Sequence, residues 1–113
     1  MFNVKLEEID QKMILRLDGR LDTTAAPMLE REINRLIDSG RKFILLDFTN
    51  VDYLTSAGMR VLHAGTKKIQ DGRLVIFALN EESDKIIHLT GFHKLLTICA
   101  TEKEAINKCS EKR

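Results

Sequence analysis

Apolar and charged residues alternate at the start of the chain. Val4 and Leu6 are flanked by polar and charged neighbours, and this period of two predicts an edge strand with one solvated face. Residues 13–17 form a second strand-like stretch, and residues 10–11 between the two carry turn-forming chemistry. The spacing predicts an N-terminal β-hairpin.

Three later stretches are apolar enough to lie inside a sheet. Residues 43–48 and 73–79 are apolar on both faces, as in interior strands covered on both sides, and residues 95–99 predict a last strand. Polar residues predict a loop at residues 18–24 and a turn at residues 49–52. Because helical segments separate these strands, we expect them to run mostly parallel.

The first helix shows a clear apolar stripe. Its apolar residues recur at i, i+4, i+7 and i+8, on one face of a helix: Leu29, Ile33, Leu36 and Ile37. Pro27 fits the first turn, where amides lack helical acceptors, and Gly40 is expected to end the helix. These signals place a helix between the hairpin and the first interior strand.

Hydroxyl side chains mark the later helix starts. Ser56 is predicted to cap the second helix and Ser83 the third. Thr101 and Glu104 have capping-box spacing and open a C-terminal helix. Positive charge follows, which suits the end of a helix dipole: Lys108, Lys112 and Arg113. The order β-β-α-β-α-β-α-β-α predicts a single α/β domain over residues 1–113, with a mixed, mostly parallel sheet and about four helices.

Composition excludes several classes of protein. The chain has 31% charged residues and no apolar run of about 18 residues, so no membrane segment is expected. Residues 1–10 do not resemble a secretory signal. A formal charge of +1 predicts no nucleic-acid partner. Two cysteines are too few for a disulfide scaffold, so a reduced, cytoplasmic setting is expected.

No constellation predicts catalysis, a cofactor or a metal site. The histidines lack zinc-type spacing (His63, His88 and His93), and the cysteines lack Cys-x-x-Cys spacing (Cys99 and Cys109). There is no nucleophile–base pair and no Gly-rich phosphate loop. We therefore expect no enzyme, and a small α/β enzyme or nucleotide binder stands only as a competing interpretation.

Ser56 carries the most specific chemistry. It lies where an apolar run gives way to a helix, beside unpaired amides and the positive end of the helix dipole. A phosphate on this hydroxyl would therefore meet a favourable anion environment.

Two motifs extend this observation. Residues 45–62, LLDFTNVDYLTSAGMRVL, combine a strand, a turn and a serine at the start of an apolar helix, and residues 19–22 read Gly-Arg-Leu-Asp. Together with the element order, they resemble the STAS domain of bacterial anti-sigma-factor antagonists. The resemblance covers essentially the whole chain and includes the family's Gly-x-Leu/Ile-Asp loop before the first helix.

The resemblance implies a partner switch. Family members bind an anti-sigma factor that is also a serine kinase and so free a sigma factor. The kinase phosphorylates the serine at the helix start, which ends binding, and a phosphatase restores it. By position, Ser56 matches this phosphoacceptor and Asp22 the loop aspartate beside it. The implied partner-binding residues are Asp22, Thr23, Thr55, Ser56, Ala57, Gly58 and Met59.

One position departs from the family pattern. Thr55 stands where the best-known antagonists have Asp, so a carboxylate is replaced by a second hydroxyl. The alternative is a STAS interaction module that is not phosphorylated, in a signalling scaffold or a transport or lipid-trafficking complex. The balanced charge predicts a monomer when the protein is free.

Overall fold

Within residues 1–110, which a computed structural model describes, the elements follow the predicted order. The strands are β1 (Asn3–Ile9), β2 (Lys12–Leu21), β3 (Phe43–Leu54), β4 (Arg73–Phe77) and β5 (Thr97–Cys99). The helices are α1 (Ala26–Asp38), α2 (Ser56–Lys68), α3 (Glu81–Leu89) and α4 (Glu102–Cys109), with a 3-10 turn at Phe92–Lys94. The strands form one sheet in the order β1-β2-β3-β4-β5, in which only the β1–β2 pair is antiparallel among the described strands. The predicted mixed α/β sheet is confirmed.

The hairpin turns through two residues with positive φ. Ile9 pairs with Lys12, and Asp10 and Gln11 between them have φ values of 48° and 69°. Positive φ at both central positions gives a turn whose twist matches that of the flanking strands. The hairpin therefore adds β1 as an antiparallel edge, and most of its side chains are exposed.

Helices cover both faces of the sheet. The larger core includes Leu46 of β3 together with Ile33 of α1 and Leu62 of α2. On the other face, Leu45 packs in a smaller core with Ala105 of α4. Neighbouring residues of β3 thus enter opposite cores, which explains why this strand is apolar without alternation.

Two strands extend beyond their predicted ends. β2 continues to Leu21, into the loop predicted at residues 18–24, and β3 continues to Leu54 through the predicted turn at residues 49–52. The predicted turn is wrong, and the predicted loop is confirmed only for residues 22–24. Pairing between the two strands resumes after two register shifts, and the polar side chains there stay in solvent. β4 ends earlier than predicted, at Phe77, and β5 begins later, at Thr97.

The first helix begins and ends at the predicted signals. Pro27 lies in the first turn of α1. At the other end, the Gly40 amide donates to the Ile37 carbonyl and the Arg41 amide to the Leu36 carbonyl. This pair of bonds is a Schellman motif, which needs the left-handed conformation that Gly40 supplies with a φ of 96°.

The third helix starts at a different cap from the predicted one. The Asn80 side chain accepts a hydrogen bond from the Ser83 amide at 2.7 Å, so Asn80 is the N-cap. Ser83 is buried within the first turn of α3. The prediction that Ser83 caps this helix is wrong, because the chain enters the helix earlier and the amide, not the hydroxyl, of Ser83 takes part in capping.

The fourth helix has the predicted cap. The Thr101 hydroxyl oxygen accepts from the Glu104 amide at 3.2 Å, and Lys108 lies in the last turn. The predicted cations Lys112 and Arg113 lie outside the described residues. None of the helices in the described part of the chain has the length and apolar character needed to cross a membrane.

An ionic cluster connects α4 to three strands. The Arg16 guanidinium on β2 pairs with Glu7 and Asp47, each at 3.0 Å, and with Glu102 at the start of α4. Thr49 donates hydrogen bonds from its amide and hydroxyl to the Asp47 carboxylate. Partial burial alone would raise the pKa of Asp47, but the bonds from Thr49 and Arg16 outweigh it and lower that pKa below 3.8.

Acid is expected to remove the stabilisation that Asp47 provides. Because its pKa is lower in the folded chain than in the unfolded one, its contribution is complete above the unfolded pKa and is lost as the pH falls through the folded pKa. Asp47→Asn should cost about 1–3 kcal/mol of unfolding free energy at neutral pH. The cost should shrink below about pH 4, as urea denaturation at several pH values can measure.

Asp52→Asn is the matched control for this test. Asp52 is exposed on the same strand, and its carboxylate makes no hydrogen bond to another residue within 1–110. It should change the unfolding free energy little at any pH. An Asp47→Asn cost that does not vary between neutral and acid pH would contradict the prediction.

Candidate functional site

The ends of β2 and β3 bring Asp22 and Ser56 to one edge of the sheet. Leu21 pairs with Leu54 in the parallel register. Thr55, which follows the end of β3, donates both its amide and its hydroxyl to the Leu21 carbonyl, at 3.1 Å and 3.2 Å. The loop that follows β2 and the start of α2 are therefore joined directly, as the sequence predicts.

Thr55, not Ser56, caps the second helix. Thr55 has extended backbone angles, and its hydroxyl oxygen faces the Gly58 amide at 3.4 Å. Ser56 is the first helical residue and is exposed. The prediction that Ser56 is the cap is wrong, because the adjacent hydroxyl already occupies that position. As a result, the Ser56 hydroxyl makes no hydrogen bond to another residue within 1–110.

Asp22 orders its own loop. Its carboxylate accepts hydrogen bonds from the Thr24 amide at 3.1 Å and the Ala25 amide at 2.9 Å, immediately before α1. Thr23, the residue after Asp22, is exposed, whereas Asp22 is half-buried. The two hydrogen bonds thus order the loop and leave Thr23 in solvent.

Two predicted contact residues lie beneath the surface. Met59 is 1% exposed, and the Thr90 hydroxyl lies 3.6 Å from its sulfur. Gly58 is also buried, and a Cβ there would lie 2.8 Å from the Leu21 side chain. The expectation that Gly58 and Met59 form part of a contact surface is therefore corrected, because both help to pack α2 onto the sheet. Ala57 is half-buried beside Ser56.

Gly58 is expected to position Ser56 by close packing. Gly58→Ala places a methyl group against Leu21 and Leu54, which costs about 1–3 kcal/mol in overpacking. The helix gains about 1 kcal/mol from losing glycine, so the net loss should be about 0–2 kcal/mol. Denaturant titration measures the net loss of stability. Binding to the expected anti-sigma factor should weaken as well, because the start of α2 shifts.

Gly65→Ala is the control for Gly58→Ala. It lies on the same helix and its Cβ would meet Leu74 at 2.9 Å and Ile33 at 3.1 Å, a comparable clash away from Ser56. This variant should lose similar stability with partner binding unchanged. If both variants bind the partner equally well, Gly58 does not position the site.

The sequence did not predict one pair at this edge. The Arg20 guanidinium lies over the Tyr53 ring, 4.1 Å from its centroid, and the two residues are partners in the β2–β3 register. Both are exposed. Arg20 lies within the Gly-Arg-Leu-Asp motif and Tyr53 within the motif at residues 45–62. A parallel alignment of these two motifs was the signal that could have paired them.

The histidines and cysteines lie elsewhere. His88 and His93 stack with 4.4 Å between ring centroids, beside α3. Burial raises the pKa of the Cys109 thiol to about 11, so this thiol stays protonated at neutral pH. Within residues 1–110, no three side chains of His, Cys, Asp or Glu are grouped to hold a metal ion.

Comparisons with known proteins point to one family. A family model described as the STAS domain matches residues 3–105. The chain is 29% identical over 102 residues to BtrV of Bordetella bronchiseptica, which is provisionally named an anti-sigma factor antagonist. That match covers 88% of this chain and 87% of the relative.

Solved structures share the fold. An anti-sigma factor antagonist from Mycobacterium paratuberculosis has a TM-score of 0.90 and 23% identity, and the match covers 98% of this chain and 96% of the other. The Bacillus cell fate determinant SpoIIAA in its phosphorylated form has a TM-score of 0.70 and 23% identity, covering 94% and 98%. At these identities the likeness shows the fold alone.

Proposed function

Because this chain belongs to the STAS domain family, we propose that it is an anti-sigma-factor antagonist switched by phosphorylation of Ser56. Its partner is an anti-sigma factor that is also a serine kinase, and binding that partner releases a sigma factor. The names of BtrV and of the Mycobacterium paratuberculosis protein support the antagonist role. SpoIIAA, which has been solved in a phosphorylated form, supports the modification.

The observation that carries the proposal is the free, exposed hydroxyl of Ser56. A serine that caps a helix would have its oxygen engaged with a backbone amide, but Thr55 performs that role here. A kinase can therefore reach Ser56 without displacing a hydrogen bond. Thr55 and Ala57 flank Ser56 in the chain, and the loop with Asp22 and Thr23 follows Leu21, whose carbonyl Thr55 binds. We assign these four residues to the contact surface.

Phosphorylation acts in this proposal through charge. A phosphate adds about −1.5 to −2 charges. The start of α2 tolerates them, because its first amides have no helical acceptors and the helix dipole is positive there. In the complex the same charge is buried against the partner, where unfavourable charge costs several kcal/mol. Binding is lost without refolding of this chain.

The chain acts in the cytoplasm, as a monomer when free, and a cognate phosphatase removes the phosphate. It performs no catalysis itself. The anti-sigma factor supplies the kinase activity, and this chain is both its substrate and its binding partner. Neither nucleic acid nor membrane takes part in this cycle.

The test is a kinase assay with the cognate anti-sigma factor. Incubation with ATP should add one phosphate, which tandem mass spectrometry should locate on Ser56. Ser56→Ala should remain unmodified, and Thr55→Ala should still be phosphorylated if folded. Binding without any phosphorylation would instead support an interaction module that is not switched.

A further inference from the structure

A groove lies beside the Asp22 loop. It has a volume of about 410 Å³ and lies between the N-terminal residues, the end of β2 and the first turns of α1. Phe2 and Met28 supply apolar surface, while Arg20, Arg31 and Asp22 supply the charged groups. The groove therefore combines apolar contact area with ionic groups at the edge of the sheet that carries Ser56.

The N-terminal wall of the groove depends on a close backbone approach. Gly19 has a φ of 112°, and a Cβ at this position would overlap the Met1 carbonyl. Because Gly19 has no side chain, the first residues of the chain can cross β2 at this position. Phe2 packs against the larger core, so this wall is anchored.

The two arginines of the groove have no carboxylate partner in the described part of the chain. Arg20 lies on the Tyr53 ring, and Arg31 is exposed one helical turn after Met28. Asp22, the one carboxylate of the groove, already accepts from the amides of Thr24 and Ala25. Positive charge above an apolar floor complements an acidic segment that also carries apolar side chains.

The groove continues the contact surface around Ser56. Asp22 belongs to both, and Arg20 is held by Tyr53, three residues before Ser56. Arg and Tyr are enriched among the residues that dominate binding energy at interfaces, especially when they are held in place before binding. We infer that this groove binds an acidic, partly apolar segment of the anti-sigma factor, next to the part that covers Ser56. This inference rests on the proposed function.

Charge reversal tests the groove. Arg31→Glu should weaken binding to the cognate anti-sigma factor at least about tenfold, as measured by isothermal titration calorimetry. Met28→Ala should weaken it by a smaller factor, because it removes apolar contact only. Raising the salt concentration should weaken wild-type binding more than Arg31→Glu binding, since the variant has lost the attraction that salt screens.

The control is Lys103→Glu on α4, which covers the opposite face of the sheet. Lys103 is exposed, and its reversal changes the net charge equally, so binding should stay within about twofold of wild type. Thermal unfolding of each variant should remain cooperative, which excludes misfolding as the cause.

The outcomes separate the groove from the switch. If Ser56→Asp abolishes binding while Arg31→Glu and Met28→Ala bind as tightly as wild type, the groove inference fails and the proposed function stands. If the wild type binds no anti-sigma factor, both fail. If the variants lose self-association or binding to anionic vesicles and keep the anti-sigma factor, the groove has a different occupant and the inference is overturned.

Discussion

Ser56→Asp is expected to weaken binding to the anti-sigma factor at least about 100-fold, which corresponds to about 2.7 kcal/mol. The added carboxylate stands where the unmodified hydroxyl is exposed and free of hydrogen bonds within residues 1–110. In the complex it becomes a buried charge, and such charges cost several kcal/mol. The chain itself should keep its stability, because an acidic residue is favourable in the first turn of a helix.

Ser56→Ala is the matched variant. The Ser56 oxygen makes no hydrogen bond within residues 1–110, so its removal should change the binding free energy by about 1 kcal/mol or less, as truncation does at most interface positions. The affinities of the wild type, Ser56→Asp and Ser56→Ala can be measured directly on surface-bound anti-sigma factor. Tight binding by both variants would remove the basis for a phosphate switch at this position.

Gly72→Ala is expected to lower the unfolding free energy by about 3 kcal/mol or more, a large part of the 5–15 kcal/mol typical of small domains. Gly72 is buried before β4, and its Cβ would overlap the Lys42 carbonyl oxygen and lie 2.6 Å from the carbonyl carbon. That carbonyl accepts the Arg73 amide at 2.8 Å, where the pairing of β3 with β4 begins. A methyl group on residue 72 would push the backbone of Lys42 away and break its hydrogen bond with the Arg73 amide.

Gly40→Ala provides the comparison for Gly72→Ala. Gly40 has a positive φ but open space around its Cα, so alanine meets only the conformational penalty of about 1–2 kcal/mol. Urea denaturation of both variants measures the difference. Equal losses would show that the backbone clash at Gly72 relaxes, and that the start of β4 is less constrained than its geometry indicates.

The sequence predicted the framework of this fold well because its signals are local. Pro27 and Gly40 bound α1 by chemistry that depends on the residue itself. β3 is apolar on both faces because two cores meet it, a cause that the sequence records directly. Thr49, Asn50 and Asp52 gave a false turn, because partners on β2, distant in sequence, extend the strand through them.

The sequence indicated where in the chain the candidate site lies, but not which contacts its side chains make. Two adjacent hydroxyls precede α2, and only the contact of Thr55 with Leu21 decides which one caps it. In the same way, only the pairing register places Arg20 on Tyr53. The burial of Met59 also depends on helix rotation, since α2 carries apolar residues around much of its start. Each of these details comes from contacts between segments far apart in the chain.

In the proposed switch, Thr55 and Ser56 divide two tasks that a single serine would have combined. If one oxygen were both the helix cap and the phosphoacceptor, each phosphorylation would break the capping hydrogen bond and each dephosphorylation would restore it. Because the cap is the Thr55 oxygen, modification of Ser56 should leave the end of the helix intact. The switch would then change affinity for the partner without changing the fold.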